Sequence, residues 1–297
     1  MKRMYMPKSL FFTTLYILLF LFSCKNKLPD SLLESGISKE LVELRTTQIS
    51  NVNYLLYLKI PEEKPYEIKA SLVLEFFLAD NSEPLILDFH PESSYLLDVF
   101  MQGVSLPYTY RNGHIIIEGK EFDPGYQQLE FQFNMPQESL LTGKNVLLTH
   151  PNAGNAFLAF PAFYQTNLNA SFLLNMEIPA THTAISNAPL LKESVRGSRK
   201  SIAFAKTSII AVDQFSFISG NLIMLQAKTD TTAITIYYPE QDSIAAKDVL
   251  SGIKLFVNKE SKVQLKKTKT DYVFLTDIPL SDPFQLPGIT IITAVDQ

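Results

Sequence analysis

The sequence predicts a mainly β protein: an antiparallel β-sandwich or saddle, followed by a short α+β segment. Three observations carry that expectation. Residues 68–78 and 128–133 alternate apolar and polar, the period of strands with one face toward a core; Ile68, Ala70, Leu72, Leu74, Phe76 and Leu78 share one face, and Leu129, Phe131 and Phe133 another. Asn112-Gly113 stands between two β-prone runs, the pattern of a tight hairpin. From Asp242 the period changes to 3.6, and Ala245, Val249, Ile253, Phe256 and Val257 fall on one stripe of a helix over 242–257.

Taken in order, residues 25–35 are polar with scattered leucines and make a tether, and 36–50 form a short helical or irregular entry. Strands follow at 53–60, closed by Pro61, and at 68–78, 85–89 and 95–102. The hairpin spans 108–117, and 128–133 is the next strand. The apolar run 170–178 is a strand ended by Pro179, with a return strand at 183–186 and a turn at 187–189. Residues 192–200, with their basic side chains and one glycine, predict a polar loop. Further strands are expected at 201–204, 215–225 and 233–238, then the helix, which Asp242 or Ser243 can cap. Residues 272–278 and 289–295 complete the β content. Short strands spaced by turn residues point to antiparallel pairing. The implied organisation is 1–23 signal, 24–35 tether, 36–240 β-domain and 241–297 the start of a second unit.

The chain has 297 residues, 46% of them hydrophobic, enough to bury a real core. Its net charge of −4 and the lack of a basic block exclude a nucleic-acid footprint; Lys262, Lys266, Lys267 and Lys269 make only a solvated edge. At the N-terminus Lys2, Arg3 and Lys8 precede an apolar run, 10–22, that ends at Ser23-Cys24, the layout of a secretory signal. The run is short for a membrane span and Lys25-Asn26-Lys27 follows at once. Cys24 is the only cysteine, so neither a disulfide nor a thiolate metal site can form within the chain. Leu21-Phe22-Ser23-Cys24 resembles a bacterial lipoprotein box, which implies cleavage before Cys24, its lipidation, and a place at the outer membrane. Each buried acyl CH₂ would contribute about 0.8 kcal/mol to that anchoring. The alternative is an uncleaved anchor with an incidental thiol.

A second resemblance lies in residues 155–190. Phe160, Pro161, Phe163, Gln165, Leu168, Ala170 and Phe172, then Ile185, Ser186 and Asn187, match a pattern that reads roughly A-R-x-x-F-P-C-F-D-[EQ]-P-D-L-K-A-x-F followed by a strand, a proline and an S-N-G turn. That pattern is similar to the N-terminal β-domain of the aminopeptidase N family of zinc metallopeptidases. The order of the upstream strands, the Asn112-Gly113-His114 hairpin and the Phe215–Asn221 stretch also follow that family, so the resemblance covers 36–239. Departures are Phe157 for its arginine, Ala162 for its cysteine, Tyr164 for its acidic residue, and Thr166 and Asn167 for its Pro-Asp. The resemblance implies that the 242–257 helix opens a zinc domain and that residues 284–290 stand where the family carries its G-x-M-E-N loop, here without glutamate.

The family's reaction needs H-E-x-x-H on a helix, which puts two imidazoles on one zinc and a glutamate beside the water it activates. His90, His114, His150 and His182 are the only histidines; none lies within four residues of another and none precedes a glutamate. On the resemblance, the zinc-binding portion would lie beyond Gln297. Ser186 and Ser219 lack a G-x-S-x-G setting, and His150 has only Asp88 or Glu138 as conceivable acid partners. In the loop where family members carry a Gln or Glu for the substrate amine, Asn152 and Asn155 are neutral. The 21 phenylalanines and 13 tyrosines are expected to fill a β-core.

The sequence therefore predicts no catalytic, metal or cofactor residue, with Cys24 as the one modified site. The expected function is a non-catalytic lipoprotein that binds or scaffolds at the cell envelope, held to the membrane through Cys24, with a protein partner covering 242–297. The competing expectation is a substrate-domain subunit of a split aminopeptidase. A third is a peptide- or sugar-binding surface protein, which would keep a concave aromatic patch exposed on a sheet.

Overall fold

The computed structural model describes residues 29–64, 67–149, 158–165, 167–228, 233–260, 271–278, 280 and 284–293. Along the chain, α1 (Lys39–Gln48) runs straight into β1 (Ile49–Lys59), followed by β2 (Ile68–Leu78), β3 (Leu85–Asp88), β4 (Leu96–Met101), β5 (Val104–Ser105), β6 (Thr109–Arg111), β7 (His114–Ile117), β8 (Gly125–Met135), β9 (Leu140–Thr142) and β10 (Val146–Thr149). Next come β11 (Ala170–Pro179), β12 (Thr183–Ser186), β13 (Leu190–Arg196), β14 (Arg199–Phe204), β15 (Phe217–Gly220), β16 (Ile223–Lys228), β17 (Ala233–Tyr238), α2 (Ser243–Glu260), β18 (Asp271–Leu275), β19 (Phe284–Leu286) and β20 (Ile289–Thr293). The mainly β expectation holds.

The strands build layers. The large eight-stranded sheet runs β13-β14-β11-β1-β2-β8-β4-β5, and a four-stranded sheet, β12-β15-β10-β9, covers its inner face together with a three-stranded one, β3-β7-β6. Between them lies the main core, where Tyr54, Phe160, Phe172 and Phe215 interlock: Tyr54 and Phe215 stack on Phe172 at 4.9 and 4.4 Å. The aromatics thus fill the core as expected. The four-stranded sheet has no free face. Leu147 and Phe217 point into the main core; Val146, Leu148, Ile185 and Ile218 point the other way, onto Val273, Leu275, Ile289 and Ile291. Those belong to a five-stranded sheet, β16-β17-β18-β20-β19, whose far side is covered by α2 through Ala246 and Leu250.

Five expectations are corrected. Residues 192–200 are not a loop: β13 and β14 form an edge hairpin turning at Gly197, φ +61°. Its charge misled the sequence argument, because exposed edge strands carry charge to resist further pairing, and Lys200 pairs with Glu193 at 3.2 Å. Residues 215–225 are not one strand; the chain leaves the four-stranded sheet at Gly220 and enters the five-stranded one at Ile223. The α2 stripe is offset: Ala245 is exposed, while Ala246 and Leu250 are buried and Val249 and Ile253 partly so. Asp242 does not cap that helix: its Oδ1 accepts from Thr276 Oγ1 at 2.8 Å, and its buried Oδ2 meets no donor among the described residues. Pairing is not wholly antiparallel either, since β1 lies parallel to β11, and β18 to both β17 and β20. The β11 strand returns to β1 only after more than a hundred residues, so no short turn dictates its direction.

The segment ahead of α1 is clasped to the β6–β7 hairpin. Leu32 and Leu33 of the 3-10 turn Asp30–Leu33 bury against Leu41, Ile86 and Ile116. Arg111 reaches Asp30 at 3.1 Å, and Asn112 Nδ2 donates to the Leu33 carbonyl at 2.7 Å. Among the described residues no helix is long and apolar enough to cross a membrane.

Candidate functional site

Two places concentrate polar side chains in the interior. The first is centred on Asp88 at the end of β3. The α1 face that buries Leu41 also buries Arg45 and Gln48, at i, i+4 and i+7, so helix geometry drives a guanidinium into the core. Arg45 Nη1 and Nη2 donate to Asp88 Oδ2 and Oδ1, both at 2.8 Å, and Nε and Nη2 donate to the Ile86 carbonyl. His114 Nδ1 lies 2.9 Å from Asp88 Oδ1 and its Nε2 lies 2.8 Å from the Glu34 carbonyl. The Tyr164 N–H donates to Oδ2 at 3.0 Å. Burial pushes the Asp88 carboxyl up, but the Arg45 guanidinium and the His114 hydrogen bond outweigh it and hold it below the ordinary range.

This cluster is closed to substrate. Arg45, Asp88 and His114 are fully buried. It acts as a clasp: it ties α1, the β3–β7 pair and the 160–165 segment into one unit, with Tyr54 Oη accepting from the Phe163 N–H at 3.0 Å.

The second place is a cleft of about 570 Å³ where the four- and five-stranded sheets meet. It is lined by 187–189, 206–208 and 285–288. The hairpin β19–β20 turns at Gly288, φ +77°, and a Cβ there would stand 2.3 Å from the Asn187 carbonyl oxygen. Asn187 pins the junction: its Nδ2 donates to the carbonyls of Gln214 and Pro287 at 3.0 and 2.8 Å, and its Oδ1 accepts from the Ser216 N–H at 2.7 Å. A second pin is the Lys144 N–H, which donates to Asp277 Oδ2 at 2.6 Å. No carboxylate lines the cleft, and its one charged residue, Lys206, donates to Asn53 Oδ1 at 2.8 Å.

The residues singled out in sequence scatter. Cys24, His150, Asn152 and Asn155 lie outside the described residues. Asp88 is committed to Arg45 and His114, and Glu138 sits exposed in the 3-10 turn Gln137–Ser139. Ser186 is buried and donates to the Ser216 carbonyl at 2.9 Å. Ser219 lies 3.3 Å from His182 Nδ1 but is fully buried, beyond the reach of an acyl substrate. His90 and His182 are both pushed down by burial. Among the described residues no three His, Cys, Asp or Glu side chains gather in a metal-binding arrangement.

This layering can be set beside known proteins. No family model matches the chain. A stretch of 97 residues, 32% of the chain, is 28% identical to aminopeptidase N of Acetobacter pasteurianus over 27% of that protein. Another of 95 residues is 30% identical to aminopeptidase M1-A of Oryza sativa subsp. japonica, over 11% of it. With aminopeptidase M1 of Arabidopsis thaliana, 22% identity extends over 156 residues, 52% of the chain and 16% of the relative. The native yeast LTA4 hydrolase structure superposes on 84% of the chain with a TM-score of 0.66. The chain is similar to the N-terminal domain of the aminopeptidase N family. At 16% identity, and covering 41% of the hydrolase chain, the superposition speaks for the fold of this aminopeptidase N-like chain alone. The matches span only a minor part of each curated relative's own length.

Sequence reasoning missed Arg45. The available signal was an arginine on the apolar stripe of α1 paired with a single aspartate in the apolar run 85–89, two opposite charges each placed where only a buried partner would justify it.

Proposed function

We propose that this chain is an exported lipoprotein whose aminopeptidase N-like domain binds or scaffolds at the cell envelope and does not hydrolyse peptides by itself. The observation that carries the reading is the chemistry of the junction cleft. Its lining offers amides, hydroxyls, prolines and one lysine, and no carboxylate. An α-amine needs a nearby anion to be held charged, and Lys206 works against one. The sequence adds that no two histidines stand at zinc-ligand spacing. Purified full chain is expected to show neither aminopeptidase turnover nor stoichiometric zinc; finding both together overturns the reading.

Membrane attachment through Cys24 is the second element. Cys24→Ala is expected to shift the protein from the membrane pellet to the soluble fraction on cell fractionation. Retention in the pellet would place the anchor elsewhere.

A second reading, a β-domain serving a zinc-binding partner chain, is favoured by one feature. Ile244 and Leu255 on the outer side of α2 are 83% and 74% exposed, and Ile223 and Met224 are exposed on the edge strand β16. That apolar surface is what a partner over 242–297 would cover. Recovery of a co-purifying chain that carries H-E-x-x-H would decide for it.

A further inference from the structure

We propose that the outward face of the large sheet is a binding cleft for neutral oligosaccharide. The cleft, about 600 Å³, lies over β1, β2 and β8 and is closed at one end by the β4–β5 turn. Register sets its floor. Asn53 stands opposite Glu75, and Glu75 opposite Gln128, so an amide, a carboxylate and an amide form one row across three strands. Adjacent strands are about 4.8 Å apart, a step on the scale of one sugar ring. In the next row Phe77 stands opposite Tyr126. Glu130 lies two residues further along β8 and also lines the cleft.

The chemistry of this set selects the ligand. A sugar hydroxyl donates and accepts at once. A planar amide offers both in one plane, and a carboxylate accepts from two neighbouring hydroxyls. The Asn53 amide is held in place, its Oδ1 accepting from Ser171 Oγ at 2.5 Å and from Lys206 Nζ at 2.8 Å and its Nδ2 donating to the Asn51 carbonyl at 3.4 Å, which leaves one N–H for a ligand. Among the described residues, Glu75 and Glu130 carry no hydrogen bond or ion pair, so both carboxylates are available to a ligand. Two carboxylates repel phosphate and acidic sugars. An ammonium would need acceptors only and would leave the amide N–H groups of this row unused.

Tyr126 completes the site. It is 78% exposed, an unusual position for so large a ring. Its orientation is fixed by an edge-to-face contact with Phe77, ring centroids 5.3 Å apart and planes at 78°. So exposed a ring beside a row of hydrogen-bonding groups has open surface for the C–H side of a pyranose while the hydroxyls meet the row. β1, β2 and β8 are central strands with both edges paired, so addition of a peptide strand is closed to this face.

The test uses the full chain in detergent and three probes, maltohexaose, cellohexaose and mannohexaose, by isothermal titration calorimetry. Binding of at least one is expected, weakened tenfold or more in Tyr126→Ala and separately in Glu75→Gln, with the thermal midpoint of each variant unchanged. Gln128→Ala, at an exposed position, is the second check on the row and is expected to weaken the same sugar. No binding of any probe at millimolar concentration overturns the proposal. So does binding that all three variants leave intact, or selective binding of an oligolysine peptide in place of the sugars.

Discussion

Asp88→Asn is expected to destabilise the protein by about 3–5 kcal/mol at neutral pH, the cost of leaving a buried charge without its partner. The substitution keeps the shape and removes the anion. Arg45 and His114 then remain in the core with their donors aimed at a neutral amide, half of which is itself a donor. The pH dependence has a definite sign. Asp88 titrates below its unfolded value, so its contribution is complete above about pH 3.9 and fades as acid protonates the folded carboxylate. Urea denaturation should therefore show the largest gap between wild type and variant at pH 7 and a smaller one in acid below that threshold. A gap of equal size at both pH values would mean that the carboxylate charge is not what stabilises the clasp.

Gly288→Ala is the second large effect, expected at about 2–4 kcal/mol. Part of that is the left-handed backbone at φ +77°, which costs an alanine about 1–2 kcal/mol. The rest is contact: the new methyl would sit 2.3 Å from the Asn187 carbonyl oxygen, and Asn187 is fixed by three hydrogen bonds of its own. Gly197→Ala is the internal control. Its φ is +61°, and nothing lies within 4 Å of its Cβ position, so only the conformational cost applies. Guanidinium denaturation of the two variants separates the terms, and hydrogen exchange over 271–293 is expected to rise for Gly288→Ala alone. Equal losses at the two sites would show that the turn is not pressed against Asn187.

Much of the fold was legible because its signals are local. The alternation of 68–78 fixes a half-buried strand whatever it pairs with, and Asn112-Gly113 supplies the two positive φ values that its hairpin needs, +53° and +85°. Pairing at a distance was not legible. Nothing near Ala170 announces that β11 lies parallel to β1, and the charges of 192–200 hide a strand because an edge hairpin buries none of its first strand's side chains. The clasp around Asp88 was harder to read for a related reason: Arg45 and Asp88 each stand in an apolar setting that calls for a buried partner, but the two are 43 residues apart in the chain and nothing local pairs them. The junction cleft was half legible, since residues 284–290 were marked by their place in the pattern, while the reach of Asn187 across 100 residues to Pro287 was not.

The four-stranded sheet serves as a party wall. One side of β10 and β15 closes the main core and the other closes the core shared with the five-stranded sheet. A wall shared by two rooms cannot be assigned to either, and sawing the chain apart near residue 240 would strip Val146, Leu148, Ile185 and Ile218 of their neighbours at a stroke. A substitution in the tract around β10 and β15 therefore has to suit both chambers it separates at once.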